Sequence, residues 1–270
     1  MKPLTFRLKA KPPCRVDASP LVPTALAGKS REEVARLPLL GWNESFAAGE
    51  LFSIAGEDTG RVVLEGLDGS LVRVGAGLDG GELTVVGHAG DYAGESMRRG
   101  ALVVRGSAGD YLGAGMRSGT LTVSGDVGAF AGSGRAGELS GMTGGCIVVR
   151  GSAGDRAGDR MRRGLLLIEG SVGSYCAARM VAGTIVVLGR VATHPAYLMR
   201  RGTLLLVDRE VELLPTFNDN GRHQLLAVRL LLASLAQYGP SFRQFAKRGD
   251  FARWLGDLGC EGKGEVLIAQ

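Results

Sequence analysis

The sequence predicts an all-β core, a right-handed parallel β-helix with 19-residue rungs, with an irregular N-terminal extension before it and C-terminal helices after it. Three observations lead there. All six internal methionines, Met97, Met116, Met142, Met161, Met180 and Met199, stand three places before a glycine. Each such glycine opens one phrase, Gly-x-apolar-x-apolar, as in GALVVRG from Gly100, GCIVVRG from Gly145 and GTIVVLG from Gly183. The opening glycines are Gly81, Gly100, Gly119, Gly145, Gly164, Gly183 and Gly202, a constant interval of nineteen that is stretched once, between Gly119 and Gly145. A fixed period of this size marks stacked supersecondary units.

Within each repeat the second and fourth positions after the glycine are always apolar: Leu83 and Val85, Leu102 and Val104, Leu121 and Val123, Ile147 and Val149, Leu166 and Ile168, Ile185 and Val187, Leu204 and Leu206. This period of two belongs to a strand with one buried face. A small apolar residue follows at Ala89, Ala108, Val127, Ala153, Val172 and Val191, with recurring glycines after it that suit corners needing positive φ or close backbone approach. One repeat at about 3.3 Å per residue makes a perimeter of about 60 Å, too short for a βαβ unit and ample for one coil of a β-helix. The left-handed hexapeptide helix needs a coil of three similar hexapeptides, and that sub-period is absent. Crossover handedness favours the right-handed form.

The flanks divide the chain into residues 1–59, 60–207 and 208–270. In the first, LTFRL at Leu4–Leu8 alternates like a strand, Ser30 and Glu33 match a capping box that predicts a short helix over Ser30–Leu37, and Leu51–Ile54 reads as the first strand to join the stack. GRVVLEG at Gly60–Gly66 is an irregular first rung. In the last region Arg222–Tyr238 has helical spacing, and after Pro240 the segment Ser241–Leu258 reads as a second amphipathic helix carrying Phe242, Phe245, Phe251 and Trp254. Such helices are expected to cover the last rung, or to offer an aromatic face to a partner protein.

Composition narrows the function. The 44 glycines lack a collagen period and belong to turns and rung corners. Cys14, Cys146, Cys176 and Cys260 form no C-x-x-C pair, and His88, His194 and His223 have no metal-ligand spacing, so neither a metal site nor a disulfide framework is expected. No signal-peptide core follows Met1. The richest apolar run, LLAVRLLLASLA from Leu225, is broken by Arg229, and the expectation is a cytoplasmic chain with no membrane partner. The net charge of +5 suits an acidic partner, an anionic ligand or nucleic acid, and equally an arginine-rich protein with none of these.

Four features carry candidate chemistry. At the eleventh position after the opening glycines stand Tyr92, Tyr111, Phe130, Arg156, Tyr175 and His194, a column that either stabilises the coil by ring packing or offers a platform to a flat ligand. The column before it, Asp91, Asp110, Ala129, Asp155, Ser174 and Thr193, reads as turn-forming side chains. After the methionines runs an arginine stripe, Arg98, Arg99, Arg117, Arg162, Arg163, Arg200 and Arg201, which either pairs with carboxylates and solvent or meets an acidic partner or polyanionic ligand. The extra residues of the third repeat, in Ser133–Gly141, must bulge from the coil, with Arg135 and Glu138 as the charged members. No nucleophile–base motif, phosphate loop or cluster of acids stands out, and no catalytic residue is assigned.

The glycine-ruled repeats from Gly81 to Val207 resemble the GXGXG domain shared by the formylmethanofuran dehydrogenase C subunit and the carboxy-terminal domain of the glutamate synthase large subunit. Arg15-Val16-Asp17-Ala18-Ser19-Pro20-Leu21 with Leu26-Ala27-Gly28-Lys29-Ser30, and Gly256-Asp257-Leu258 with Glu261-Gly262-Lys263-Gly264-Glu265, resemble the two ends of that C subunit. A glutamate synthase chain would carry amidotransferase and barrel domains ahead of this one. The resemblance implies a right-handed β-helix acting as a structural subunit. The Arg- and Ala-rich composition leans toward the bacterial members of the family, in formyltransferase/hydrolase complexes, over the archaeal tungsten or molybdenum dehydrogenase. Such a complex implies a formyltransferase subunit, a metal-dependent hydrolase subunit and a further subunit as partners, with tetrahydromethanopterin and a furan carrier (methanofuran or methylofuran) as its cofactors. None of these cofactors is expected on this chain, and no nucleic acid. If the chain itself touches a polyglutamylated carrier, Arg162, Arg163, Arg200 and Arg201 are the residues to do so.

Overall fold

The computed structural model describes residues 1–260 and 262–270, so Glu261 of the C-terminal motif lies outside the described residues. The first part of the chain contains β1 (Pro3–Leu8), β2 (Val16–Asp17), α1 (Pro23–Leu26), α2 (Arg31–Ala35), β3 (Pro38–Leu40), β4 (Ser45–Ala47), α3 (Ala48–Leu51) and β5 (Phe52–Ala55). The repeats supply β6 (Asp58–Asp68), β7 (Leu71–Val72), β8 (Asp79–His88), β9 (Arg99–Val104), β10 (Thr120–Val123), β11 (Thr143–Val149), β12 (Arg163–Ile168), β13 (Thr184–Val187) and β14 (Arg201–Leu206). The last part holds β15 (Asn218–His223), α4 (Leu226–Leu235), α5 (Pro240–Phe245), β16 (Phe251–Gly256) and β17 (Lys263–Ala269).

The protein is mostly β, with one large, mostly parallel sheet and few helices, as in a β-helix-like fold. The sheet order is β15-β16-β17-β14-β13-β12-β11-β10-β9-β8-β6-β1-β5, so consecutive repeats are neighbours in space. The register follows the glycine lattice: Leu83 pairs with Leu102, Leu102 with Leu121, Leu121 with Ile147, Ile147 with Leu166, Leu166 with Ile185 and Ile185 with Leu204. A second run of parallel bridges joins Ala89, Ala108, Val127, Ala153, Val172 and Val191. The small apolar column is therefore another ladder of the same stack.

The methionine–glycine lattice has a packing cause. A Cβ placed on Gly119, Gly145, Gly164 or Gly202 would lie 2.7–2.8 Å from the terminal methyl of Met97, Met116, Met142 or Met180, the methionine of the preceding repeat. All six methionines are fully buried. Unbranched and flexible, Met fills the gap that each glycine leaves, so the two residue types recur together.

Ser30 caps α2 as expected, accepting from Glu33 N–H at 3.2 Å while the Glu33 carboxylate accepts from Ser30 N–H at 2.7 Å. The strand expected at Leu51–Ile54 is β5, antiparallel to β1 at the outer edge of the sheet. The C-terminal region departs from expectation. The first helix begins at Leu226, because Arg222 and His223 belong to β15. The helix expected over Ser241–Leu258 spans only Pro240–Phe245. Phe251 and Trp254 lie instead on β16, antiparallel to β17, which continues the parallel stack beside β14. An unpaired edge on β14 rewards a strand there, and this long-range pairing overrides local helical spacing.

The helices lie on the side of the stack rather than on its last rung. Val148, Leu167, Val186, Leu205 and Leu267 point away from the interior and are buried against Val228, Leu232 and Leu235 of α4 and Phe242 and Phe245 of α5. Strands β11–β14 are therefore covered on both faces, which explains their continuous apolar runs. Cys146 lies under this cover, and burial pushes its thiol up to about 11, with Tyr238 beside it pushed up to about 12; burial likewise raises interior Cys176 to about 12. Both cysteines should resist thiol reagents in the native protein at pH 8. The three shifts stabilise the fold fully below pH 9, where the unfolded groups are also protonated. That contribution is lost as pH rises from about 9 toward 12, so midpoint denaturant should fall over that range.

Candidate functional site

The residues at the eleventh position after the opening glycines do form a stacked column. Tyr92 and Tyr111 lie 4.8 Å apart at 7°, Tyr111 and Phe130 4.7 Å apart at 2°, and Tyr175 and His194 5.0 Å apart at 11°. The Arg156 guanidinium fills the layer between, 6.0 Å from Phe130 and 4.9 Å from Tyr175. Every member has φ between +57° and +65°, a left-handed corner that side chains disfavour and that the stacking offsets. Rings stacked in this way cover one another's faces, so the column is first a spine of the fold.

The neighbouring acidic column does more than form turns. Asp91 Oδ1 accepts from Asp110 N–H at 3.0 Å, Asp110 Oδ1 from Ala129 N–H at 2.7 Å and Asp155 Oδ1 from Ser174 N–H at 2.7 Å, each one repeat ahead. A further ladder uses His88 Nδ1 (accepting from Ser107 N–H), Asp126 and Ser152 in the same way. These side chains close backbone donors between repeats.

The arginine stripe is exposed along one corner. Arg99 pairs with Asp79 at 2.7 Å and holds that carboxyl below its usual range, while Arg162, Arg163, Arg200 and Arg201 make no ion pair among the described residues. Arg162 and Arg200 are brought together with Arg160, Arg179, Leu139 and Leu198 around a cavity of about 360 Å³; Arg163 and Arg201 do not line it. Arg179 is bound to buried Asp159 through both carboxylate oxygens. Arg160 donates to the Glu138 carbonyl at 2.6 Å.

A larger cleft, about 610 Å³, lies where the N-terminal extension meets the column, lined by Trp42, Tyr92, Arg15, Arg73, Glu95 and Arg135 among others. Glu95 is 2% exposed and takes Arg73 at 3.1 Å and Arg135 at 2.9 Å. Arg73 also reaches Asp17 at 3.2 Å, and Arg15 reaches Asp91 at 2.6 Å. The inserted loop is thus tied down: Arg135 joins Glu95 and Glu138, and Met142 N–H donates to the Gly132 carbonyl at 2.9 Å across the loop's neck. Sequence reasoning passed over this network. Its traces were that Arg73 lies one repeat before Tyr92, and that Glu95 and Asp159 share one lattice position. Glu95→Ala should cost about 2 kcal/mol, less than a fully enclosed pair because both arginines stay partly solvated. The variant should release the loop, seen as severalfold faster tryptic cleavage after Arg135.

Among the described residues no group of three or more His, Cys, Asp or Glu is placed to hold a metal ion, and no helix is long and apolar enough to cross a membrane. Fold and surfaces together define a stacked-β protein ruled by opening glycines, and the GXGXG motif family matches residues 134–227. Over 86 residues the chain is 42% identical to the C subunit of the formyltransferase/hydrolase complex Fhc of Methylorubrum extorquens, an alignment that spans 32% of each protein. Over 98% of this chain and 99% of the other, at 40% identity and a TM-score of 0.93, the structure matches a chain in the crystal structure of the formyltransferase/hydrolase complex FhcABCD from Methylorubrum extorquens in complex with methylofuran. The chain belongs to the family of Fhc C subunits of formyltransferase/hydrolase complexes.

Proposed function

We propose that this chain is a non-catalytic structural subunit of a cytoplasmic formyltransferase/hydrolase complex, which moves formyl from tetrahydromethanopterin to a furan carrier and releases formate. The carrying observation is the 40% identity to a chain of the FhcABCD complex across 98% of the sequence. In this reading each coil holds one repeat and winds right-handed, residues 60–207 form the body, and 1–59 and 208–270 are its flanks. Formyltransferase and hydrolase subunits and a further subunit dock around it, with the metal in the hydrolase. The ladders of stacked rings and carboxylates suit a rigid spacer, since each layer fixes the next. Native mass spectrometry of the tagged chain from its own host, with metal analysis, tests this. Co-purifying transferase and hydrolase subunits with zinc are expected. Tungsten or molybdenum with iron–sulfur partners would make it a dehydrogenase subunit, and a lone chain would remove the scaffold reading.

A second reading is favoured by the gathering of Arg162 and Arg200 with Arg160 and Arg179 at one cavity. Here the chain also contacts the polyglutamylated carrier, with Arg163 and Arg201 alongside. Replacing Arg162, Arg163, Arg200 and Arg201 by Ala should leave the fold intact. Carrier affinity lost at least tenfold in an intact assembly supports binding, whereas disassembly supports scaffolding alone.

A further inference from the structure

We infer that the cleft beyond His194 receives the guanidinium group of an arginine from a neighbouring subunit, seated as the next layer of the stacked column. The column has two ends. At the first, Arg73 takes the lattice position one repeat before Tyr92, with the same left-handed φ (+56°), and two carboxylates hold it, Asp17 at 3.2 Å and Glu95 at 3.1 Å. In the interior, Arg156 serves as a layer between Phe130 and Tyr175. At Arg156 the column thus takes a planar cation as one of its layers, as expected for guanidinium on an aromatic face.

At the second end no such layer follows among the described residues of this chain. The position one repeat beyond His194 is Leu213, in an irregular segment that has left the lattice. The change is visible one ladder away. Val191 N–H donates to Asp208 Oδ2 at 3.0 Å, where Val172 N–H one repeat earlier donates to a main-chain carbonyl, that of Arg190. A cleft of about 550 Å³ opens there, lined by His194, Glu210, Glu212, Leu213, Leu214 and Pro215. Tyr175 covers one face of the His194 ring, and the ring is exposed where it lines the cleft. Glu210 and Glu212 lie at the protein surface and make no ion pair among the described residues. Among the described residues no arginine or lysine lines the cleft, although the chain as a whole carries +5. The cleft thus combines the flat surface that the Arg156 guanidinium meets inside the column with a pair of carboxylates like the pair that holds Arg73 at the first end. Planarity selects arginine over lysine, because an ammonium can pair with the acids but cannot form a stacked layer.

This inference rests on the chain working inside a multi-subunit assembly. The chain has three histidines, so the full-length protein with isotope-labelled imidazoles gives a readable spectrum. Methylguanidinium should shift the His194 ring signals saturably while those of His88 and His223 stay, and methylammonium at equal ionic strength should shift them far less. The Glu210→Gln/Glu212→Gln double variant, with unchanged circular dichroism, should weaken the methylguanidinium effect about tenfold. Equal responses to both cations, or an unchanged response in the variant, overturn the inference. In the host-purified assembly the variant should lose partner subunits at lower salt than the native chain. Equal retention would overturn the inference and leave the scaffold proposal standing. If the native chain carries no partners the scaffold proposal falls, and the titration alone decides the cleft's ligand class.

Discussion

Val149→Asp is expected to abolish folding. Val149 is fully buried in β11, paired in register with Val123 on one side and Ile168 on the other. A carboxylate there has no cationic partner in the packed interior, and an unpaired buried charge costs several kcal/mol even after it neutralises itself by taking a proton. That is a large share of the net stability of a single domain. The defect also does not stay local, because each repeat packs on the ones before and after it. Soluble yield and far-ultraviolet circular dichroism check the outcome: the variant should be insoluble or lack strand signal. A Val149→Asp protein that folds and melts like the parent would mean that the inward register is wrong. Thr122→Asp, at an adjacent strand position half-exposed on the outer face, is the control and should fold.

The second large effect is at a repeat corner. Gly87 has φ +127°, and a Cβ there would lie 2.1 Å from the Leu67 carbonyl oxygen and 2.8 Å from its nitrogen. Both obstacles are backbone of the preceding repeat, so no rotamer change relieves them. Gly87→Ala should therefore cost about 3 kcal/mol or more, the sum of left-handed strain and overpacking. The melting temperature should drop by roughly 10 °C. Gly69→Ala separates the two causes. Its φ is also positive, at +94°, but among the described residues nothing lies within 4 Å of the added carbon, so only the conformational penalty of about 1–2 kcal/mol remains. Equal effects at the two positions would remove close approach between repeats as the reason for the glycines.

Much of the stack was legible because its constraints are local and repeated. A buried inner face needs an apolar residue at every second strand position, and a methionine that fills the gap over a glycine needs that glycine once per repeat. These requirements recur with one period, so the register is legible from Gly81 to Gly202 in the sequence itself. The capping box at Ser30 and Glu33 was legible for the same reason, since its two hydrogen bonds join near neighbours in sequence. The column from Tyr92 to His194 was visible as a lattice, and its stacked geometry follows from the rise between strands.

The C-terminal region and the clefts were not legible in this way. Phe251 and Trp254 carry helical spacing, yet they lie on β16 because β17 needed an antiparallel partner. That need arises only once β17 has joined β14. The cover of α4 and α5 over Val148, Leu167 and Val186 is a contact between distant segments, and the continuous apolar runs of β12 and β13 hinted at it without naming the partner. Glu95 meets Arg73 and Arg135 from opposite directions in sequence, and the acids near His194 matter because the chain leaves its lattice there. The sequence by itself determined the repeat, its inward face and the family. The tertiary structure alone decided where the stack ends, which side the helices cover and which charged groups stay unpaired, because these depend on the edges that the finished stack leaves open.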